Sequence, residues 1–171
     1  MSSLKIVTYP DEFLHQPTKP VENIDGEFQD FVNAMAATMY ANSGVGLAAI
    51  QVGKGRSFLV YDVQQTEEEG RPQLEVLVNP RIVEREGQML SENEGCLSVP
   101  GYRSDVRRAE RILVEGFDRE GSPLRIEADG FLSIVLQHEI DHLEGRLFVD
   151  RLSALKRQLF RRRMLKQLQT S

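Results

Sequence analysis

The chain is poor in cysteine, has no tryptophan, and contains no long apolar run. Its single cysteine, Cys96, cannot close an internal disulfide, which excludes a disulfide-stapled scaffold and fits a reducing cytosol. No stretch reaches the ~20 apolar residues that span a bilayer, so no membrane partner is expected. Residues 1–10 lack a basic region leading into an apolar one, and no signal or transit peptide is read there. Acidic residues are absent from 154–171, where Lys156, Arg157, Arg161, Arg162, Arg163 and Lys166 fall. Without those cations the net charge of −5 becomes −11, an acidic body with a basic tail. A charge run is ordinarily a solvated face, yet this asymmetry also fits a polyanionic, RNA-bearing partner at one end.

What is present suits one globular domain: 171 residues, 40% hydrophobic and 27% charged. Residues 1–26 read as a loop-rich lead-in broken by Pro10, Pro17 and Pro20. Residues 27–41 place Phe28, Phe31, Val32, Met35 and Met39 at helical spacing and stop at Asn42-Ser43-Gly44. Strands are expected over 57–63, 74–79 and 81–86, with 67–70 as an exposed acidic connection. A hairpin is expected from 111–117 and 124–128 around Asp118-Arg119-Glu120-Gly121. An apolar helix opens at Gly130 and runs to about Glu144, with Gly145 placed to cap it. A last helix covers about 153–168, its outward arginines balanced by Leu152, Leu155, Leu159 and Leu165 as anchors. The fold class is α+β, mostly antiparallel strands with one central and one terminal helix. Residues 1–152 are expected to form a single catalytic domain, and 153–171 a basic helix packed on it or extending from it.

His138-Glu139-Ile140-Asp141-His142 is an H-E-x-x-H motif. Residues i and i+4 share a helix face, so both imidazoles can reach one ion, with Glu139 beside it as a proton carrier. Such a motif also arises by chance on charged helices, but residues 131–136 (FLSIVL) are too apolar for a solvated face. His15, in the lead-in, reads as a surface residue. Catalytic ions commonly have three protein ligands. Cys96, in Glu94-Gly95-Cys96-Leu97-Ser98-Val99-Pro100, is the better third candidate, with Pro100 taken to end the segment. An inert buried thiol is the alternative. Gly44 and Gly46 would let backbone approach a substrate, or simply make a tight turn, and Gln51 could aim its amide at an oxyanion. Gly53-Lys54 does not make a P-loop: Ala48 stands where the first glycine belongs, and Gly55 where Ser or Thr belongs.

Together, GVGLAAIQVG at 44–53, EGCLSVP at 94–100 and QHEIDHLEG at 137–145 resemble the three signature motifs of the peptide deformylases, in the same order and separation. The resemblance covers essentially the whole chain. It implies antiparallel sheets around a central HExxH helix, and removal of the N-formyl group from formyl-methionyl peptides with release of formate. It also implies Cys96, His138 and His142 as metal ligands and Glu139 as general acid/base. Gln51 and the Leu97 backbone N–H would stabilise the oxyanion, and Gly46 would lie beside the formyl group. The implied ion is Fe2+, with Ni2+, Co2+ or Zn2+ as substitutes. Phe131, Ile134 and Val135 share the face of His138 and, with Val45, would make a slot for the methionine side chain; a plain core stripe is the competing reading. The basic tail would dock on the large ribosomal subunit near the tunnel exit. A bacterial cytoplasmic monomer is expected. Rival readings are a general HExxH metallopeptidase and a protein with a structural metal. The first would normally use His or Glu rather than Cys as third ligand, and the second would need a fourth ligand.

Overall fold

The computed structural model describes residues 3–64 and 72–170; the acidic connection expected at 67–70 lies outside them. The lead-in is irregular apart from a short 3-10 turn over Glu12–His15, and His15 is exposed. Helix α1 (Gly26–Ala41) starts where the Asp25 carboxylate accepts a 2.9 Å hydrogen bond from the Phe28 N–H, covering an otherwise unpaired donor. It ends where the Gly44 N–H donates to the Met39 carbonyl. In chain order there follow β1 (Gly46–Ala48), a 3-10 turn (Ala49–Val52), β2 (Phe58–Tyr61), β3 (Glu75–Glu86), β4 (Met89–Cys96), β5 (Val99–Arg108), β6 (Arg111–Phe117), β7 (Pro123–Asp129), α2 (Gly130–Leu143) and α3 (Ala154–Thr170).

Five strands make an antiparallel sheet in the order β1-β2-β3-β6-β7, while β4 and β5 form a separate hairpin. The sheet lies between two helices, which explains why β2 is buried at every position. Its Leu59 and Tyr61 pack with Val135, Leu136, Ile140 and Leu143 of α2. Its Phe58 and Val60 pack with Phe28, Val32, Met35 and Met39 of α1. A third cluster joins Val99 and Val106 of the hairpin to Phe148, Val149 and α3.

Several expectations change. The strands read at 74–79 and 81–86 are one, β3, with a register shift between Val78 and Arg81. Asn79 supplies the irregularity with φ 49°, a left-handed conformation that Asn tolerates better than most residues. Its side-chain amide also exchanges hydrogen bonds of 2.8 and 3.1 Å with the Val21 backbone, pinning the lead-in to the sheet. The β4–β5 hairpin was not expected, and Pro100 does not end its segment. Pro100 is the second residue of β5, near the strand start, where a missing N–H does least harm. Leu155, Leu159 and Leu165 do not anchor α3, being 67%, 52% and 59% exposed, whereas Leu152, just before the helix, is buried in one cluster with Phe160 and Met164. Phe160 and Met164, four residues apart on one face, are its buried residues instead.

Candidate active site

Helix α2 buries its apolar face against the sheet, so its polar residues must be satisfied inside the protein. It stops after Leu143 because Gly145, at φ +80°, takes a left-handed turn. A Cβ there would come within 2.5 Å of the His15 carbonyl oxygen, so the close approach of the lead-in also needs glycine. Beside this helix the Cys96 sulfur, from the end of β4, and one imidazole nitrogen each of His138 and His142 lie within 4.8 Å of one another. Cys96 Sγ is 3.3 Å from His142 Nε2. The Nδ1 of His138 pairs with Glu94 Oε1 at 2.6 Å, which leaves its Nε2 turned toward the thiol and His142. Glu139 Oε1 sits 3.8 Å from His138 Nε2 and 4.0 Å from His142 Nε2, beside the point where the donors converge.

The hairpin delivers Cys96 through two register shifts, one between Ser91 and Glu94 and one between Glu94 and Cys96. Asn93, at φ 54°, marks the first of them. These irregularities aim Glu94 and Cys96 at α2 rather than along the plain alternation of a strand. Cys96 pairs with Val99, which leaves Leu97 and Ser98 as a two-residue turn. Gln51 is almost fully buried in the 3-10 turn after β1. Its Oε1 accepts from the Ala48 N–H at 2.9 Å, and its Nε2 faces Ser98 Oγ (3.1 Å) and Cys96 Sγ (3.5 Å). The amide N–H is therefore presented to the site. Gly46 on edge strand β1 passes so close to Glu139 that a Cβ would lie 2.8 Å from its Cγ.

Behind these donor atoms is a network that the motifs did not reveal. Arg108 donates to both oxygens of Glu94 and, through Nη1, to Asp141 Oδ2 at 2.7 Å. Arg151 donates to Asp141 at 2.6 and 3.2 Å. Burial alone would push the Glu94 carboxyl up, but hydrogen bonds from His138 and Arg108 outweigh it and hold the group at about 2. Burial raises Glu139 to about 7, against the pull of His138. Burial, reinforced by His138, holds His142 well below the usual histidine range, so its ring is neutral and its lone pair available.

The arrangement fits a divalent ion. A soft sulfur and two imidazoles suit Zn, Fe, Co or Ni. Glu139 Oε2 and His142 Nδ1 are the only buried side-chain oxygen or nitrogen atoms without a hydrogen-bond partner among the described residues. Both belong to this site.

A cavity of about 1110 Å³ opens at the site, with Gln51, Cys96, Leu97, His138 and Glu139 in its wall. Val45, Gly46, Phe131, Ile134 and Val135 line it too, so the stripe read as slot or core borders open space, although Val135 also packs in the core. Of the six tail cations, Arg163 is turned toward this cavity, its guanidinium 5.7 Å from the Tyr102 ring centre. Sequence reasoning missed Glu94, Arg108, Asp141 and Arg151. The one available signal was that a metal-bound His needs a partner for its other nitrogen, and Glu94 stands two residues before the candidate ligand Cys96.

Fold and site define an α+β metal-dependent hydrolase whose HExxH helix takes its third donor from a cysteine beside a hairpin turn. Residues 3–158 match the sequence model of polypeptide deformylases. The peptide deformylase of Desulfosudis oleivorans is 52% identical over 98% of this chain and 96% of its own length. That of Syntrophobacter fumaroxidans is 48% identical over 98% and 97%. The crystal structure of a peptide deformylase from Legionella pneumophila superposes with a TM-score of 0.87, at 45% identity, covering 99% of this chain and 98% of that one. The Ehrlichia chaffeensis enzyme in complex with actinonin gives 0.88, at 41% identity, covering 98% of each. The chain belongs to the polypeptide deformylase family, metal-dependent enzymes that remove the N-formyl group from formyl-methionine.

Proposed function

We propose that this chain releases formate from formyl-methionyl nascent peptides through the residues gathered around α2. The observation that carries the residue assignment is the convergence of Cys96, His138 and His142 donors beside Glu139, at a cavity edged by Gly46. Those three side chains would hold the ion, Fe2+ in the native state, with Ni2+, Co2+ or Zn2+ able to replace it. The ion when bound supplies Lewis acidity, making water nucleophilic near neutral pH and polarising the formyl carbonyl. Glu139, held at about 7, can take a proton from the attacking water and return it to the departing amine. The Gln51 amide and the Leu97 N–H donate to the developing oxyanion. Edge strand β1 offers its backbone to an extended peptide, with the formyl end beside Gly46. The slot of Val45, Phe131, Ile134 and Val135 takes the methionine side chain.

Residues 1–152 form the catalytic unit in this reading, and α3 is an appendage docked through Phe160 and Met164. The exposed cations Lys156, Arg161, Arg162 and Lys166, with the half-buried Arg157, would meet ribosomal RNA near the tunnel exit, while Arg163 faces the cavity mouth. No helix among the described residues is long and apolar enough to cross a membrane, and the chain is read as a cytoplasmic monomer. Supplied with formyl-Met-Ala-Ser, the iron-loaded protein should release formate and leave internal peptide bonds intact. Internal cleavage without formate would replace this reading with a general metallopeptidase. Metal analysis after anaerobic purification should find iron.

A further inference from the structure

On the side of α2 away from the substrate cavity lies a second cavity, of about 310 Å³. Gln137 and Asp141, one helical turn apart, form its α2 wall, whereas Ile134, Val135, His138 and Glu139 face the substrate. Four arginines line it, Arg85, Arg107, Arg108 and Arg151, against one acidic residue, Asp141, and Arg108 is paired with Glu94 as well. The Asp141 carboxylate is already covered: Oδ2 takes Arg108 Nη1 and Arg151 Nε, and Oδ1 takes Arg151 Nη2. Glu110 packs against Gly87 outside the lining. Arg85 and Arg107 are exposed and form no ion pair with the described residues. An acidic protein thus holds a cavity with surplus positive charge and two free arginines at its rim.

We propose that this cavity binds a small phosphate-bearing anion. Guanidinium forks match phosphate oxygens in pairs, and a tetrahedral dianion can accept from Arg85, Arg107 and the part-exposed Arg151 together. A planar carboxylate has one charge and two oxygens for the same three donors. The volume lies at the lower end of ~300–1000 Å³ for small-molecule sites, enough for phosphate or a compact monoester. The bound anion would sit behind the carboxylate that braces the turn between the two histidines.

Calorimetry on the nickel-loaded protein tests this with inorganic phosphate, phenyl phosphate and acetate as probes. Both phosphates should bind at one site per chain, and Arg85→Ala/Arg107→Ala should lower their affinity at least tenfold. A charge-matched control, Lys5→Ala/Arg125→Ala, should bind as the parent does. Formate release from formyl-Met-Ala-Ser should be the same in all three proteins. Tighter binding of phenyl phosphate would identify the ligand as an ester, and tighter binding of inorganic phosphate as the free ion. Acetate binding as strongly as phosphate, affinity indifferent to Arg85 and Arg107, competition with the formyl peptide, or absence of binding would each overturn the proposal.

Discussion

Helices α2 and α3 are of similar length and both rich in polar residues, but the protein treats them in opposite ways. Within α2, Ser133, Gln137, Glu139, Asp141 and His142 are all buried, and most of their polar atoms have partners. Within α3 the buried residues are Phe160 and Met164, and both its leucines and most of its charges meet solvent. Buried polarity must be supported by partners drawn from distant parts of the chain, whereas exposed charge needs none. Five buried polar residues on one helix therefore say more about chemistry than five exposed cations on another.

The comparison can be broken at its strongest point first. Glu139→Gln keeps the shape of the site but removes the proposed proton carrier, and kcat/KM for formyl-Met-Ala-Ser should fall ~10²–10⁴-fold with metal content unchanged. Arg108→Met removes the cation shared by two buried carboxylates. Urea unfolding of the metal-loaded protein should show a loss of ~3–5 kcal/mol; a loss under ~1 kcal/mol would mean the network is idle. Acid should expose the same network. Glu94 stands at about 2 in the fold against an ordinary value of 4.5, so the unfolded chain takes up the proton first as pH falls. The stability that Glu94 contributes is complete above that ordinary value and lost progressively toward about 2, by up to ~3 kcal/mol. Unfolding midpoints from pH 6 downward should decline more steeply than in Glu94→Gln. The smallest effect belongs to α3. Met164→Ala should cost ~2 kcal/mol and loosen amide-exchange protection of that helix, while formate release changes less than twofold.

The two helices were also unequally legible. The candidate site residues of α2 could be read because helix geometry alone fixes the relation of His138, Glu139 and His142. Cys96 and Gln51 followed from their motifs, and the sheet from apolar runs such as that of β2. Glu94, Arg108 and Arg151 were not legible, because their roles depend on strand irregularities and long-range packing. In sequence they are ordinary charges of the kind usually left at a surface. The hairpin was missed because Gly95 and Pro100 interrupt it and the turn at Asn93 breaks strict alternation. The rotation of α3 was misread for another reason. Leucine spacing offered one apolar face, but the aromatic side chains of Tyr9 and Tyr102 against Phe160 selected another.

The brace behind the histidines also bears on how the site acquires its ion. With His138 held by Glu94, and the intervening turn held through Asp141 by Arg108 and Arg151, the candidate donor atoms are fixed by the protein's own hydrogen bonds. Binding then spends little of its free energy on ordering the chain, unlike small zinc domains that fold only around their metal. A site so braced would let one divalent ion replace another without refolding, so that metal supply as well as ligand chemistry would decide the occupant.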